Sequence, residues 1–170
     1  RTYSPELRSA TIEQLNLENS LRKAIFRDEF LVHYQPKVSL QSKCIVGMEA
    51  LVRWQHPTLG LLYPGDFIPL AEDTGLISVI TERVLQQACE QVKAWSRAGL
   101  GELTVAVNIP PQQLHKGDLM HTLNTALEES GLPAEQLEIE LTETSLMDDP
   151  DMAANILAKV RERGITIALD

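Results

Sequence analysis

The sequence predicts an α/β fold with a parallel sheet, on three observations. Short apolar strands alternate with amphipathic helices, and the loops joining them are short. Strands such as "TVAVNI" and "ITIAL" are apolar on both faces, as strands covered on both sides are. An α/β barrel and an open doubly wound sheet both satisfy this pattern. No GxGxxG or GxxxxGK[ST] follows a strand, which counts against dinucleotide-binding and P-loop folds.

The elements follow in order. "ATIEQLNLENSLRKAIF" (10–26) reads as a helix, with Thr11 and Gln14 as a capping box and Ile12, Leu15, Leu21, Ala24 and Ile25 as an uneven apolar stripe. It is assigned to a lead-in or linker segment, residues 1–28. "EFLVHYQPKV" (29–38) and "KCIVGMEALVRW" (43–54) read as the first two strands. Pro57, Gly60, Pro64 and Gly65 make a loop, followed by a short apolar turn, "FIPLAE". In 76–99, Ile80, Val84, Ala88, Val92 and Trp95 recur at helical spacing, and Gly99 is a stop. A strand at 103–109 leads to a helix closing at Gly131. A strand at 137–143 then leads to a helix with Asp149 as N-cap and Pro150 in its first turn. That helix ends at Gly164, before a last strand at 165–170.

The chain has 170 residues, room for one domain with a core. A net charge of −9 excludes a nucleic-acid groove held by basic residues, so a phosphate ligand must be met by a metal or a single arginine. Cys44 and Cys89 show no metal-like spacing, and no apolar run reaches membrane-spanning length. The expectation is a cytoplasmic protein in a reducing compartment. Because the chain opens on Arg1, it is read as a piece of a longer protein, whose other segments could anchor it to a membrane.

The chemistry lies in where the oxygens fall. Gln35 sits near the end of the first strand, Asn108 at the end of the third, Glu140 late in the fourth, and Asp170 at the end of the fifth. In the second strand, the two-residue period puts Glu49, Leu51 and Arg53 on one face and Met48, Ala50, Val52 and Trp54 on the other. A carboxylate and a guanidinium on one face of an apolar strand need partners, and an ion pair between them is one solution. Asn108 shares its face with Thr104 and Ala106, and Asp170 with Thr166 and Ala168, while bulky residues occupy the opposite faces. A single strand-end Asp or Asn is usually a turn former. One oxygen-bearing residue per strand over successive strands points instead to a common site. Three carboxylates (Glu49, Glu140, Asp170) and the Asn108 amide would repel one another without a cation. All-oxygen donors favour Mg²⁺, Mn²⁺ or Ca²⁺ over Zn²⁺. Such a cluster suits phosphoryl chemistry, with Arg53 placed to grip a phosphate oxygen. Glu138 and Glu143 read as solvated or locally paired, and the four histidines as scattered surface residues.

At this point the sequence resembles the EAL domain family of bacterial cyclic-di-GMP signalling. The signature stands at Glu49–Ala50–Leu51 within "EALVRWQHP". "YQP" (34–36) precedes it, and "GDFIPLAEDTGLI" (65–77), "VNI" (107–109), "IELTE" (139–143) and "IALD" (167–170) follow in family order over residues 29–170. The resemblance implies a TIM-like (β/α) barrel, of which the chain covers the first half to two thirds. It implies hydrolysis of cyclic-di-GMP to linear pGpG with Mg²⁺ or Mn²⁺, with Ca²⁺ inhibitory. A catalytically inactive cyclic-di-GMP receptor is the alternative.

By position, Glu49, Asn108, Glu140 and Asp170 match the family's metal ligands, with Glu49 and Asp170 also assigned to catalysis. Arg53 matches the phosphate-contacting arginine, Gln35 and Leu51 match substrate-pocket positions, and Glu143 matches a glutamate that steadies a loop after the fifth strand. An upstream GGDEF or sensor domain and a homodimer are the implied partners, with no nucleic-acid polymer. A whole barrel needs about 250 residues. The second aspartate, the water-activating lysine and a late glutamate of the family pattern are therefore expected after Asp170, and a half-barrel alone is expected to be unstable.

Overall fold

The computed structural model describes residues 5–115, 118–147 and 149–169, and the side chains among them except at 5–13, 115 and 144. Helix α1 (Pro5–Phe26) leads into β1 (Phe30–Val38), β2 (Ile45–His56) and a three-residue β3 (Gly60–Leu62). Then come α2 (Pro64–Asp73), α3 (Ile77–Arg97), β4 (Thr104–Asn108), α4 (Pro111–His115) and α5 (Leu119–Ser130). A 3₁₀ turn (Ala134–Gln136), β5 (Leu137–Leu141), α6 (Glu143–Met147), α7 (Pro150–Glu162) and β6 (Thr166–Leu169) complete the described chain.

The strands form one sheet in the order β1-β2-β4-β5-β6, with β3 paired to β2. β2, β4, β5 and β6 are parallel neighbours in chain order. A doubly wound sheet reverses its strand order at a switch point, whereas here the order only advances, as in a barrel. One expectation fails: β1 and β2 are antiparallel, running from Phe30 opposite Trp54 to Val38 opposite Ile45. Their connection is a few residues, too short for the crossover that parallel neighbours require.

Local chemistry explains most boundaries. Asp149 caps α7 as expected, its Oδ1 accepting from the Met152 N–H at 3.0 Å. Thr11 is no cap, because α1 already begins at Pro5. "FIPLAE" is part of a full helix, α2, entered through Pro64 and fixed by the Tyr63 N–H donating to Asp66 Oδ2 at 2.8 Å. β3 pairs with Trp54–His56 through a turn where His56 Nδ1 accepts from the Thr58 and Leu59 N–H groups, at 3.2 and 3.1 Å. His56 is thus a buried turn residue rather than a surface one.

The core lies between the sheet and the helices. Ile80, Val84, Ala88 and Val92 of α3 are buried as their spacing predicts, against Ala50, Trp54, Val105, Val107, Leu137 and Ile139. The last turns of α1 join this core through Leu21, Ala24 and Ile25. Phe30, Trp54 and Phe67 pack as an aromatic group with ring centroids 5.8 to 6.0 Å apart. The Trp54 indole N–H donates to Glu29 Oε2 at 3.0 Å, which satisfies its one polar atom.

Candidate active site

Alternation along each strand separates two sets of side chains. Phe30, Val32 and Tyr34 of β1, Ala50 and Trp54 of β2, Val105 and Val107 of β4, and Leu137, Ile139 and Leu141 of β5 face the helices. Their neighbours line the opposite, concave face. There, register sets Gln35 opposite Glu49, Glu49 level with Ala106, and Ala106 level with Glu138. Asn108 is level with Glu140, and Glu140 with Ala168.

Two hydrogen-bonded groups result. Asn108 Nδ2 donates to Glu49 Oε1 at 3.1 Å. Lys37 Nζ donates to Glu138 Oε1 and to Glu140 Oε1, both at 2.6 Å. Since β2 and β4 lie between β1 and β5, the lysine meets β5 across the concave side of a curled sheet. Burial works against the Lys37 ammonium, but hydrogen bonds and attraction from the two glutamates outweigh it and raise its pKa above the ordinary lysine value. Glu138 is therefore neither merely solvated nor locally paired: its partner lies 101 residues away. The two-residue offset of Lys37 from Gln35 puts both on one face, but nothing local in the sequence marks Lys37 as a partner of β5.

Glu49 and Arg53 do not pair among the described residues. Four strand residues span about 13 Å, so sharing a face is not contact. Arg53 Nη1 donates to the Val52 carbonyl at 2.7 Å, and its guanidinium lies 4.8 Å over the Tyr63 ring. Its Nε is buried with no partner among the described residues. A half-buried guanidinium with an N–H short of an acceptor is suited to an anion.

Beside these groups a cavity of about 370 Å³ opens, lined by Leu51, Ile68, Ile80, Asn108, Pro111 and Glu140. Leu51 thus lines an apolar recess that reaches the polar cluster. Gln35 is exposed and reaches Glu49's level by register. Because β1 runs antiparallel, its own C-terminal end lies at the opposite edge from those of the parallel strands. Glu143 is exposed and begins α6 instead of ending β5. Asp170 lies outside the described residues.

Among the described residues, no group of three or more His, Cys, Asp or Glu side chains is arranged to hold a metal ion. Asn108 is an amide, and Glu140 is drawn to Lys37. The donor chemistry nevertheless fits a hard cation: Glu49, Asn108 and Glu140 are all-oxygen donors on adjacent strands. Lys37 neutralises only part of the Glu138 and Glu140 charge, and Glu49 has an amide rather than a cation as its hydrogen-bond partner, so this end of the face keeps an excess of carboxylate.

The EAL domain family profile matches residues 18–170. The chain belongs to the EAL domain family. EAL domains are TIM-like barrels, and this chain covers part of one. It is 40% identical over 158 residues to the bifunctional diguanylate cyclase/cyclic di-GMP phosphodiesterase MucR of Pseudomonas aeruginosa, covering 93% of this chain and 23% of MucR. It is 39% identical over 168 residues to the cyclic di-GMP phosphodiesterase NbdA of the same organism, covering 99% of this chain and 22% of NbdA. The chain thus spans about a quarter of the length of these curated relatives. A solved structure of the PaMucR phosphodiesterase in complex with c-di-GMP matches with a TM-score of 0.87 and 39% identity, over 91% of this chain and 63% of that one. The FimX EAL domain of Xanthomonas citri in complex with c-diGMP matches with a TM-score of 0.84 and 26% identity, over 95% and 62%. No helix among the described residues is long and apolar enough to cross a membrane.

Proposed function

We propose that the EAL domain containing this chain hydrolyses one phosphodiester bond of cyclic-di-GMP, giving linear pGpG. The observation that carries the reading is the shared concave face of Glu49, Asn108 and Glu140, with the Asn108 amide bonded to Glu49 at 3.1 Å. The names of MucR and NbdA support it. Glu49, Asn108, Glu140 and Asp170 would hold Mg²⁺ or Mn²⁺, with Ca²⁺ inhibitory. When bound, such an ion supplies charge neutralisation and acidifies water.

The chain's own residues do the rest. Arg53, stacked on Tyr63 with a spare buried N–H, binds a non-bridging phosphate oxygen. Leu51 and the apolar recess hold the nucleotide, and Gln35 supplies an amide on the neighbouring strand. Asn108 fixes Glu49 through its N–H, so the carboxylate keeps its direction. Glu49 and Asp170 orient the attacking water and accept its proton. The water oxygen bonds to phosphorus as the bond from phosphorus to one ribose oxygen breaks, and that oxygen takes its proton from solvent. Glu143 steadies the loop that follows β6.

Residues 29–170 form the EAL unit, and residues 1–28 form a lead-in from an upstream GGDEF or sensor domain in a homodimeric, cytoplasmic signalling protein. MucR's bifunctional name supports the upstream partner. The test is Glu49→Ala in the full-length protein, with pGpG followed by chromatography. Hydrolysis should disappear, and unchanged turnover would overturn the reading. Wild-type protein that binds cyclic-di-GMP without cutting it would establish a receptor instead.

A further inference from the structure

The lysine bridging Glu138 and Glu140 presents a difficulty for cation binding. Glu140 is one of the oxygens a divalent ion would need, yet its carboxylate already holds an ammonium at 2.6 Å. The contact uses Glu140 Oε1, between side chains that are 35% and 12% exposed, so a divalent ion on the same carboxylate brings a second positive charge beside the ammonium and works to displace it.

The register shows how. Lys37 is opposite Gly47, and Gly47 is level with Thr104. Glu138 is level with Ala106, two residues beyond that row, and Glu140 is level with Asn108, four residues beyond it. Of the two glutamates, Glu138 is thus nearer to the lysine's own row, and Glu140 is nearer to the amide donor. The lysine can draw back along the strands, leave Glu140 and keep Glu138. The row it starts from carries the small residues Gly47 and Thr104, and the next row carries Gln35, Glu49 and Ala106, of which Glu49 is held on the far side by the Asn108 amide. Gly47 is also held small, because a Cβ there would sit 2.2 Å from Thr104 Oγ1 and 2.9 Å from the Thr104 carbonyl oxygen.

We propose that Lys37 is a movable counter-cation, which bridges Glu138 and Glu140 in the metal-free sheet and withdraws onto Glu138 when a divalent ion takes Glu140. Glu138 is then the lysine's resting place rather than a ligand, and both act as positioning residues through Glu140. The arrangement keeps the glutamates from repelling each other before the metal arrives. It also sets a charge threshold: an ion must outcompete an ammonium, which favours divalent over monovalent cations. This inference rests on the metal site proposed above.

The test is Mn²⁺ binding to the full-length protein, read by calorimetry and by the electron paramagnetic resonance of free Mn²⁺, with no substrate present. Lys37→Met removes the competitor and should tighten Mn²⁺ binding about tenfold, while Glu138→Gln removes the resting place and should weaken it about tenfold. In the Lys37→Met background, Glu138→Gln should change the affinity less than about threefold, because a residue that acts through Lys37 has nothing left to act on. A purely structural role for the pair would not produce opposite signs that merge in the double variant. Should Lys37→Met fail to fold, Lys37→Gln is read in the same way. Mn²⁺ affinity equal to or weaker than wild type in the lysine variant overturns the counter-cation and leaves the metal site standing. Absence of Mn²⁺ binding in the wild type overturns the metal site, and the counter-cation with it.

Discussion

On the helix-covered face of the sheet, Val105, Val107, Leu137 and Ile139 are fully buried, whereas alternate residues of the same strands place Asn108, Glu138 and Glu140 on the concave face. The outer face is stable by area and close packing, which need no ligand. The concave face is held by polar contacts, with Lys37 between Glu138 and Glu140 and the Asn108 amide on Glu49, and on the function proposed above those contacts shift when a ligand binds. Substitutions on the two faces should therefore fail differently, one in stability and the other in binding and turnover.

The largest effect is expected at the aromatic centre of the outer face. Trp54 is fully buried between Phe30 and Phe67, so Trp54→Ala should cost about 3–5 kcal/mol in urea unfolding. Leu51, three residues earlier on the concave face, lines the open recess. Leu51→Ala should cost under about 1.5 kcal/mol, because a half-exposed side chain leaves no sealed cavity, yet it should weaken cyclic-di-GMP binding. Equal losses of stability at the two positions would break the comparison.

A smaller effect is expected at Gly47, where β2 and β4 approach too closely for a side chain. Gly47→Ala forces a Cβ against the Thr104 carbonyl, a backbone atom with little freedom to move. A loss of about 1–3 kcal/mol in the same unfolding experiment is expected. An unchanged midpoint would show that β2 and β4 are not held so close.

The last effect is absent below pH 9 and grows with pH, and on the outer face it comes from Cys89. Burial, with the nearby Glu90 charge adding to it, pushes the Cys89 thiol from its ordinary 9.0 up to about 12. Below pH 9 both folded and unfolded chains keep the thiol protonated. Above it the unfolded chain releases a proton that the folded chain retains, so stability falls as pH rises toward 12. The loss is at most about 1.4 kcal/mol per pH unit. Cys89→Val should lose less stability than wild type between pH 9 and 11. Native protein should react with a thiol reagent at the exposed Cys44 and not at Cys89.

Legibility in the sequence also followed the two faces. α3 could be read from Ile80, Val84, Ala88 and Val92, and α7 from Asp149, because periodicity and capping are local properties. The antiparallel β1–β2 pair departs from the parallel expectation that alternating strands and helices set for the whole chain, because its connection is too short for a crossover. β3 is three residues long, below the length at which alternation is visible. The concave-face positions of Glu49 and Asn108 were legible because the two-residue period fixes a face, and the register adds Glu140 to them. Lys37 was not, because its partners are 101 and 103 residues away and depend on how the sheet curls. Arg53's stacking on Tyr63 was hidden in the same way, since the turn at β3 brings them together.

The central claim is that the concave face carries the chemistry and the outer face only the fold. It is tested most directly by cyclic-di-GMP turnover in the full-length protein with Glu140→Gln, a change of one charge at nearly constant shape. The account predicts that pGpG formation is lost while the unfolding free energy from urea titration stays within about 1 kcal/mol of wild type. Turnover at the wild-type rate in Glu140→Gln would contradict it.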